Sequence, residues 1–212
     1  MRKITRTALT ATVVAASAAA FAVVPASAAP ITFTVTPGGA VSGTNTQPLR
    51  ALNTAKGVAA VCSGSTASGT LLSGSGLSGT NIAQLNTVGA TGCVTTGGLA
   101  TTITATNLPW HFNATGYSAG VTTGNLTGVK ATAVIGNPAS PQCTVTVGAS
   151  GGGGATITGK HTNSTHRLGV TGSNLVVLTA TGPGCGTLAS PGDPITLAGE
   201  YLLSPAQTIT SP

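Results

Sequence analysis

Threonine alternates with aliphatic residues along several short segments, and this period of two constrains the fold more than any other feature of the chain. Residues 31–36 read Ile-Thr-Phe-Thr-Val-Thr, and residues 143–147 and 155–158 repeat the scheme. Successive side chains of a strand point to opposite faces, and β-branched residues favour strands. The alternation therefore predicts strands here and, with the same signal, at residues 100–106, 129–135, 167–171, 175–181 and 195–203.

Clusters of Gly, Pro, Asn and Ser separate these segments at short intervals, as turns between antiparallel strands require. We expect an all-β fold, an antiparallel β-sandwich or barrel that is Ig-like in general character. Residues 150–154, Ser-Gly-Gly-Gly-Gly, are predicted to form a hairpin loop. Residues 48–61 are the one segment whose sequence allows a helical turn or two.

The first 28 residues have the pattern of a secretory signal peptide. They begin with basic residues, continue with an apolar stretch from Ala8 to Val24, and end with Pro25 and Ala26-Ser27-Ala28. We expect residues 1–28 to be removed and residues 29–212 to form a single secreted β domain, extracellular or on the cell surface. Two duplicated halves are an alternative, because similar residues surround Cys93 and Cys185. The mature chain has no second apolar run long enough for a transmembrane segment.

Four cysteines, Cys62, Cys93, Cys143 and Cys185, lie in the exported part of the chain. An even number of cysteines in an oxidising compartment predicts two disulfides. Three pairings are open, and we favour the sequential one, Cys62–Cys93 with Cys143–Cys185. A zinc site is disfavoured because no Cys-x-x-Cys spacing exists.

Acidic residues are nearly absent, which excludes several classes of enzyme. The chain has one Asp and one Glu, Asp193 and Glu200, so paired-carboxylate glycosidases and two-metal nucleases cannot be built from it. The mature chain has five scattered cations and a formal charge of +3. Without a basic run or stripe it is a poor match for nucleic acid. We expect no cofactor and no metal.

Residues 116–120, Gly-Tyr-Ser-Ala-Gly, match the Gly-x-Ser-x-Gly pattern of hydrolases around Ser118. That pattern needs a following helix and the chain order Ser, acid, His, and neither is present. A turn is therefore predicted there, and the chain is expected not to be an enzyme. The three histidines, His111, His161 and His166, are interpreted as solvated or turn residues.

An aromatic segment from Leu108 to Phe112 contains the single Trp of the chain. Its Trp110, His111 and Phe112, with nearby Tyr117, are the candidate ligand-binding residues. The segment has two interpretations, a platform on which a ligand stacks or a plug in the hydrophobic core.

The export signal Ala26-Ser27-Ala28, the stretch Cys62-Ser63-Gly64-Ser65, Asn107-Leu108-Pro109-Trp110 and the four cysteines together resemble the small secreted β proteins of mycelial actinobacteria. This resemblance implies a secreted bacterial protein and no activity. A looser resemblance, of class and compartment, is to the two-disulfide apoproteins of enediyne chromoproteins, and it favours a carrier.

Two functions are expected for a non-enzymatic secreted protein of this composition. The first is a structural component of the cell surface or extracellular matrix that associates with itself or the cell wall through β edges, because few charges protect those edges. The alternative is a binding module for a polysaccharide or a small apolar ligand that uses the segment from Leu108 to Phe112.

Overall fold

A computed structural model describes residues 30–212, and residues 31–212 form one compact unit. The predicted signal peptide, residues 1–28, lies outside the described residues. Thirteen strands and one short helix make up the described part: β1 Thr32–Thr36, β2 Gly39–Asn53, β3 Val58–Leu71, β4 Gly74–Ser78, β5 Ala83–Thr95, β6 Ala100–Thr106, β7 Trp110–Ser118, β8 Val121–Asn137, β9 Ser140–Gly148, β10 Ala155–Thr162, β11 Arg167–Thr181, α1 Cys185–Leu188, β12 Pro194–Ser204 and β13 Thr208–Thr210.

Ten of these strands form one antiparallel sheet that closes on itself as a barrel. Hydrogen-bonded neighbours run β2, β3, β5, β6, β8, β9, β11 and β12, and β12 pairs again with β2. Strands β6 and β7 lie end to end between β5 and β8, and β9 and β10 lie end to end between β8 and β11. The barrel therefore has eight positions, two of which are each filled by a pair of short strands.

The predicted all-β fold with antiparallel sheets is confirmed, whereas two local predictions are wrong. The expected helical turns at residues 48–61 are the end of β2, a turn and the start of β3. Residues 149–154 do not close a hairpin, because β9 and β10 are collinear and pair with β8 and β11 rather than with each other.

A three-stranded sheet of β4, β1 and β13 covers one end of the barrel, and we call it the cap. Its inward side chains Phe33, Val35 and Ile209 are fully buried and belong to the same hydrophobic core as the barrel wall. Strand β2 leaves the cap and β12 returns to it, so the far ends of these two strands define the opposite end. There residues 182–193, which we call the strap, connect β11 to β12 and contain α1.

Both predicted disulfides are present, and the favoured sequential pairing is confirmed. Cys62 and Cys93 lie directly opposite each other on β3 and β5, so this bond lies within the barrel wall. Cys143 at the start of β9 is bonded to Cys185 of α1, so the second bond fastens the strap to the barrel. No described cysteine is free.

Residues that alternate along the sequence face the inside and the outside of the barrel in turn. On β10, Ala155 and Ile157 are buried, whereas Thr156, Thr158 and Lys160 face outward and are exposed. Burial of the aliphatic side chains stabilises this arrangement by about 25 cal/mol per Å² of apolar surface removed from water. Threonine on the outer face keeps its hydroxyl in contact with water, and its β-branched side chain favours the strand conformation.

Most strand edges are paired or protected in the part of the chain that the structure describes, whereas residues 86–92 of β5 pair with β3 on one side and have no strand partner on the other. Closure removes free edges along most of the larger sheet. In the cap, the Asn163 side chain accepts from the Ile209 N–H at 3.0 Å and donates to its carbonyl at 2.8 Å, which covers the outer edge of β13. Strand β4 contains Gly74 and Gly76, whose φ values are 119° and 68°. Its backbone is therefore irregular and offers a poor edge for pairing with another strand.

We therefore expect the mature protein to be a monomer across a wide concentration range. Light scattering after size-exclusion chromatography measures this directly. A mass that rises with concentration would favour the association through β edges predicted from composition. The outer edge of β4 and residues 86–92 of β5 are the unpaired segments that would then carry it.

Candidate ligand-binding cavity

The interior of the barrel contains an apolar cavity of about 190 Å³. Its wall takes residues from β2, β3, β5, β6, β7, β8, β9, β10, β11 and β12 and from the strap. Its larger apolar side chains include Leu49, Trp110, Leu126, Ile157, Leu175 and Leu197. An eight-stranded barrel is just wide enough for its side chains to fill the interior or to leave room for one small ligand.

Small side chains leave this space open. Seven alanines line the cavity from five strands, β2, β3, β5, β6 and β8: Ala51, Ala60, Ala67, Ala90, Ala105, Ala131 and Ala133. Ala105 and Ala131 are direct partners on neighbouring strands, so two methyl groups meet where two leucines could have closed the interior. The cavity therefore follows from the sequence of the wall.

Few polar groups and no charged side chain reach the wall. The lining residues include no Lys, Arg, Asp, Glu or His. Tyr201 contributes the main hydroxyl, which donates to Ser65 Oγ at 2.8 Å, while Ser65 donates to the Gly89 carbonyl at 3.0 Å. Burial raises the pKa of Tyr201, so its hydroxyl stays protonated at neutral pH. A charged ligand would find no partner here, whereas an uncharged apolar one would.

The candidate ligand-binding residues do not form one surface, because strand alternation separates them. Trp110 points inward, is 7% exposed, lines the cavity and donates its indole N–H to the Thr106 carbonyl at 3.0 Å. Phe112 is also buried but does not line the cavity. His111 and Tyr117 are half-buried and lie outside the lining. The segment thus fits the interpretation as part of the hydrophobic core. Of the four candidate residues, Trp110 is the one that also lines the cavity.

The Phe112 ring packs against two strands of the barrel and lies outside the lining of the cavity. It lies over Gly159 of β10 and Gly124 of β8, where a Cβ atom would come within 2.5 Å and 2.7 Å of the ring carbons. Only glycine on both strands leaves room for the ring at this level. These two glycines carry no chemical signature in the sequence, so the pattern of the chain gave no sign of this packing.

A buried polar pair, His161 and Thr122, lies two residues further along the same two strands, β10 and β8. The two residues are direct partners on β10 and β8 and are 1% and 0% exposed. Both ring nitrogens of His161 and the Thr122 hydroxyl lack a hydrogen-bond partner among the described residues. Desolvation, with a smaller effect of His166, lowers the pKa of His161 to about 4. The expectation of solvated histidines is therefore wrong for His161, because its strand position points it inward.

The Gly-Tyr-Ser-Ala-Gly segment forms a turn, as predicted. Strand β7 ends at Ser118, which pairs with Val121, and Ala119 and Gly120 between them have φ of 47° and 81°. Within the described residues, no hydrogen bonds join a serine, a histidine and a carboxylate. Nor does any group of three His, Cys, Asp or Glu in this range have the arrangement that could hold a metal ion.

The strap closes the end of the cavity opposite the cap. Leu188 and Ala189 line the cavity from this side. Asn53, at the end of β2, donates to Asp193 Oδ2 at 2.9 Å and to the Leu188 carbonyl at 3.3 Å. Asp193 Oδ2 also accepts from the Ser190 N–H at 2.8 Å. The hydrogen bond from Asn53 is the main cause that lowers the pKa of Asp193, so this carboxylate is charged at neutral pH.

Comparison of this chain with known proteins finds no relative. Neither the models of protein families, nor the curated proteins, nor the solved structures contain a match to this chain. In residues 30–212, no helix combines the length and the apolar character that crossing a membrane requires.

Proposed function

We propose that this chain is a secreted, non-enzymatic binding protein that carries a small, uncharged, apolar molecule inside its barrel. The observation that carries this proposal is the cavity of about 190 Å³, whose wall is apolar and has no charged side chain. Dry apolar cavities of about 150 Å³ in other proteins bind benzene, so the space is sufficient for a ring-sized ligand.

The energetic argument concerns what an unfilled interior does to the fold. Cavity formation destabilises a protein by about 24 cal/mol per Å³, which for this volume is about 4–5 kcal/mol. That is a large part of the 5–15 kcal/mol by which domains are usually stable. A few Ala→Val or Ala→Leu replacements would remove this loss. Alanines around an open space are therefore better explained by an occupant than by folding alone.

Secretion is part of the proposal and rests on the sequence of residues 1–28 and on the disulfides. Two disulfides and no free cysteine among the described residues fit an oxidising compartment. The carrier alternative also agrees with the looser resemblance to the apoproteins of chromoproteins. A polysaccharide platform has less support, because the rings of Trp110 and Phe112 are both buried.

The first test is an equilibrium titration with bromobenzene, a neutral apolar molecule whose heavy atom quenches indole fluorescence. Trp110 is the single tryptophan and lies in the cavity wall, so its emission reports occupancy. We expect saturable quenching and a rise of the melting temperature with ligand concentration. Bromide ion is the control, because a charged quencher has no partner in the cavity. Quenching that stays linear with bromobenzene, without a change in melting temperature, would contradict the proposal.

A further inference from the structure

We infer that the ligand carries one uncharged hydrogen-bonding group, and that this group binds in a slot of the barrel wall between residues 86–92 of β5 and residues 102–109. The inference rests on the proposed function and narrows its class of ligand to an apolar molecule with one neutral polar end. The pairing of the strands, the direction of their backbone groups and the lining of the cavity carry it.

The slot is a stretch of wall whose two sides are joined at both ends and not between them. At one end Cys93 pairs with Thr101, and at the other end Leu85 pairs with Trp110. Between these pairs, no described residue of 86–92 pairs with one of 102–109. On its other side, this part of β5 continues to pair with β3. Two strand edges therefore border the slot without a ladder of hydrogen bonds across it.

The backbone groups of Val88 and Ala90 point into the slot. Ser65, the direct partner of Ala90 on β3, donates its N–H to Asn45 Oδ1 of β2 at 2.7 Å, so its backbone faces away from β5. In an antiparallel pair of this kind, the N–H and C=O of both residues point outward, away from the partner strand. Ala90 therefore directs its backbone groups away from β3. Val88 does the same, because it lies two residues along the strand.

The backbone groups of Ile103 and Ala105 point into the slot from its other side. The Leu99 carbonyl accepts from the Thr95 N–H of β5 at 2.9 Å, so the backbone of Leu99 faces β5. Ile103 and Ala105 lie four and six residues further along the same extended segment and face the same way. We call Val88, Ala90, Ile103 and Ala105 the slot residues. Among the described residues, no backbone hydrogen bond reaches them across the slot.

The slot joins backbone donors and acceptors to an apolar interior. All four slot residues line the cavity and are half-buried. A backbone N–H or C=O in such a place is satisfied by water or by a ligand when the protein supplies no partner. Each slot residue offers one donor and one acceptor, and the cavity wall has no charged side chain. A neutral carbonyl, amide or hydroxyl therefore matches the slot, while the apolar part of the same molecule fills the cavity.

The experiment compares para-bromoacetophenone with para-bromocumene, which has a methyl group in place of the ketone oxygen. The ketone only accepts hydrogen bonds, so it needs the N–H groups of the slot. Quenching of Trp110 measures both affinities, and amide hydrogen exchange followed by NMR locates the contact in the unmodified mature protein. We expect the slot residues to exchange rapidly without ligand and about tenfold or more slowly with saturating ketone. Para-bromocumene at the same occupancy should have a much smaller effect.

Ala90→Pro removes one N–H group from the slot. That N–H lies outside the ladder with β3, where a strand tolerates proline. Affinity for the ketone should fall by about two- to tenfold, as expected for one lost hydrogen bond, with no such change for para-bromocumene. Thr87→Pro is the control for backbone direction. By the same alternation the Thr87 N–H faces Ser68 of β3, so this variant should lower the melting temperature more than Ala90→Pro does.

The outcomes separate the slot from the carrier. Saturable binding of both ligands, with equal losses in Ala90→Pro or without protection of the slot residues by the ketone, would overturn the slot and leave the carrier in place. Slow exchange of the slot residues without ligand would also overturn it. If that protection appears only as the mass rises with concentration, the slot pairs with a strand of a second copy instead. No binding of either ligand would overturn both proposals.

Discussion

Replacing Ala131 by leucine should stabilise the protein and weaken ligand binding at the same time. Ala131 faces the cavity from β8, between Ala105 of β6 and Val147 of β9. Leucine adds three carbon atoms to the interior, and each buried methylene contributes about 0.8 kcal/mol, so we expect about 2 kcal/mol of added stability. The same atoms occupy the volume that the ligand needs, and affinity for bromobenzene should fall by more than about tenfold.

Chemical denaturation and the Trp110 titration measure the two effects on the same preparation. The matched control is Thr132→Leu, which adds the same side chain to the outer face of the same strand, next to Thr146. It should leave binding unchanged. Ala67→Leu on β3 repeats the test from another part of the wall. Lower stability in both filled variants would mean that the interior has no usable space, and tight binding in both would place the ligand elsewhere.

This test separates stability from binding more cleanly than removal of the candidate tryptophan. Trp110 is 7% exposed and packs in the core as well as in the cavity wall. Truncation of a buried tryptophan typically destabilises a protein by about 3–5 kcal/mol. A loss of binding in Trp110→Ala would therefore report unfolding as readily as a lost contact.

The sequence predicted those strands whose inward residues are large. In residues 31–36, 143–147 and 155–158 Thr alternates mostly with Ile, Val or Phe, and all of these residues except Ile31 lie in strands. The signal was weak between residues 39 and 95, where β2, β3 and β5 alternate polar residues with Ala, Gly and Ser. Small inward residues give little hydrophobic contrast, and Ala51 and Ala60 are small at the cavity wall. The small residues that leave the cavity open therefore also weakened the sequence signal of three of the strands that line it.

Closure of the sheet and the position of the strap are long-range properties that periodicity does not contain. Strand β8 pairs with β6 and β9 along one half and with β7 and β10 along the other. The disulfide between Cys143 and Cys185 was predicted from chain order, but that it fastens a strap over a cavity depends on the fold. Composition predicted the correct class of fold, whereas which β edges are free depends on closure of the sheet, which pairs most of them and leaves residues 86–92 of β5 unpaired on one side.

Acid should destabilise the protein between pH 6.5 and pH 4 because of His161. In the unfolded chain its pKa is near the ordinary value of 6.5, and in the fold burial lowers it to about 4. The unfolded state therefore binds more protons in this window, and stability falls as the pH falls. A shift of this size corresponds to about 3 kcal/mol, fully lost once the pH is below about 4. Above pH 6.5 this group has no effect on the pH dependence.

His161→Leu isolates this contribution. The replacement removes two buried ring nitrogens that have no partner among the described residues, so we expect little loss of stability at neutral pH and a flat profile from pH 6.5 to 4.5. The lowered pKa values of Asp193 and Glu200 affect stability mainly at and below their ordinary values of 3.8 and 4.5, at the acid end of this range. His166→Asn is the control, because His166 lies in the turn beside His161 at a φ of 53°, which asparagine tolerates. An equally steep loss of unfolding free energy in His161→Leu, measured by denaturant titration at each pH, would place the acid-sensitive group elsewhere and leave the buried histidine without an effect on the fold.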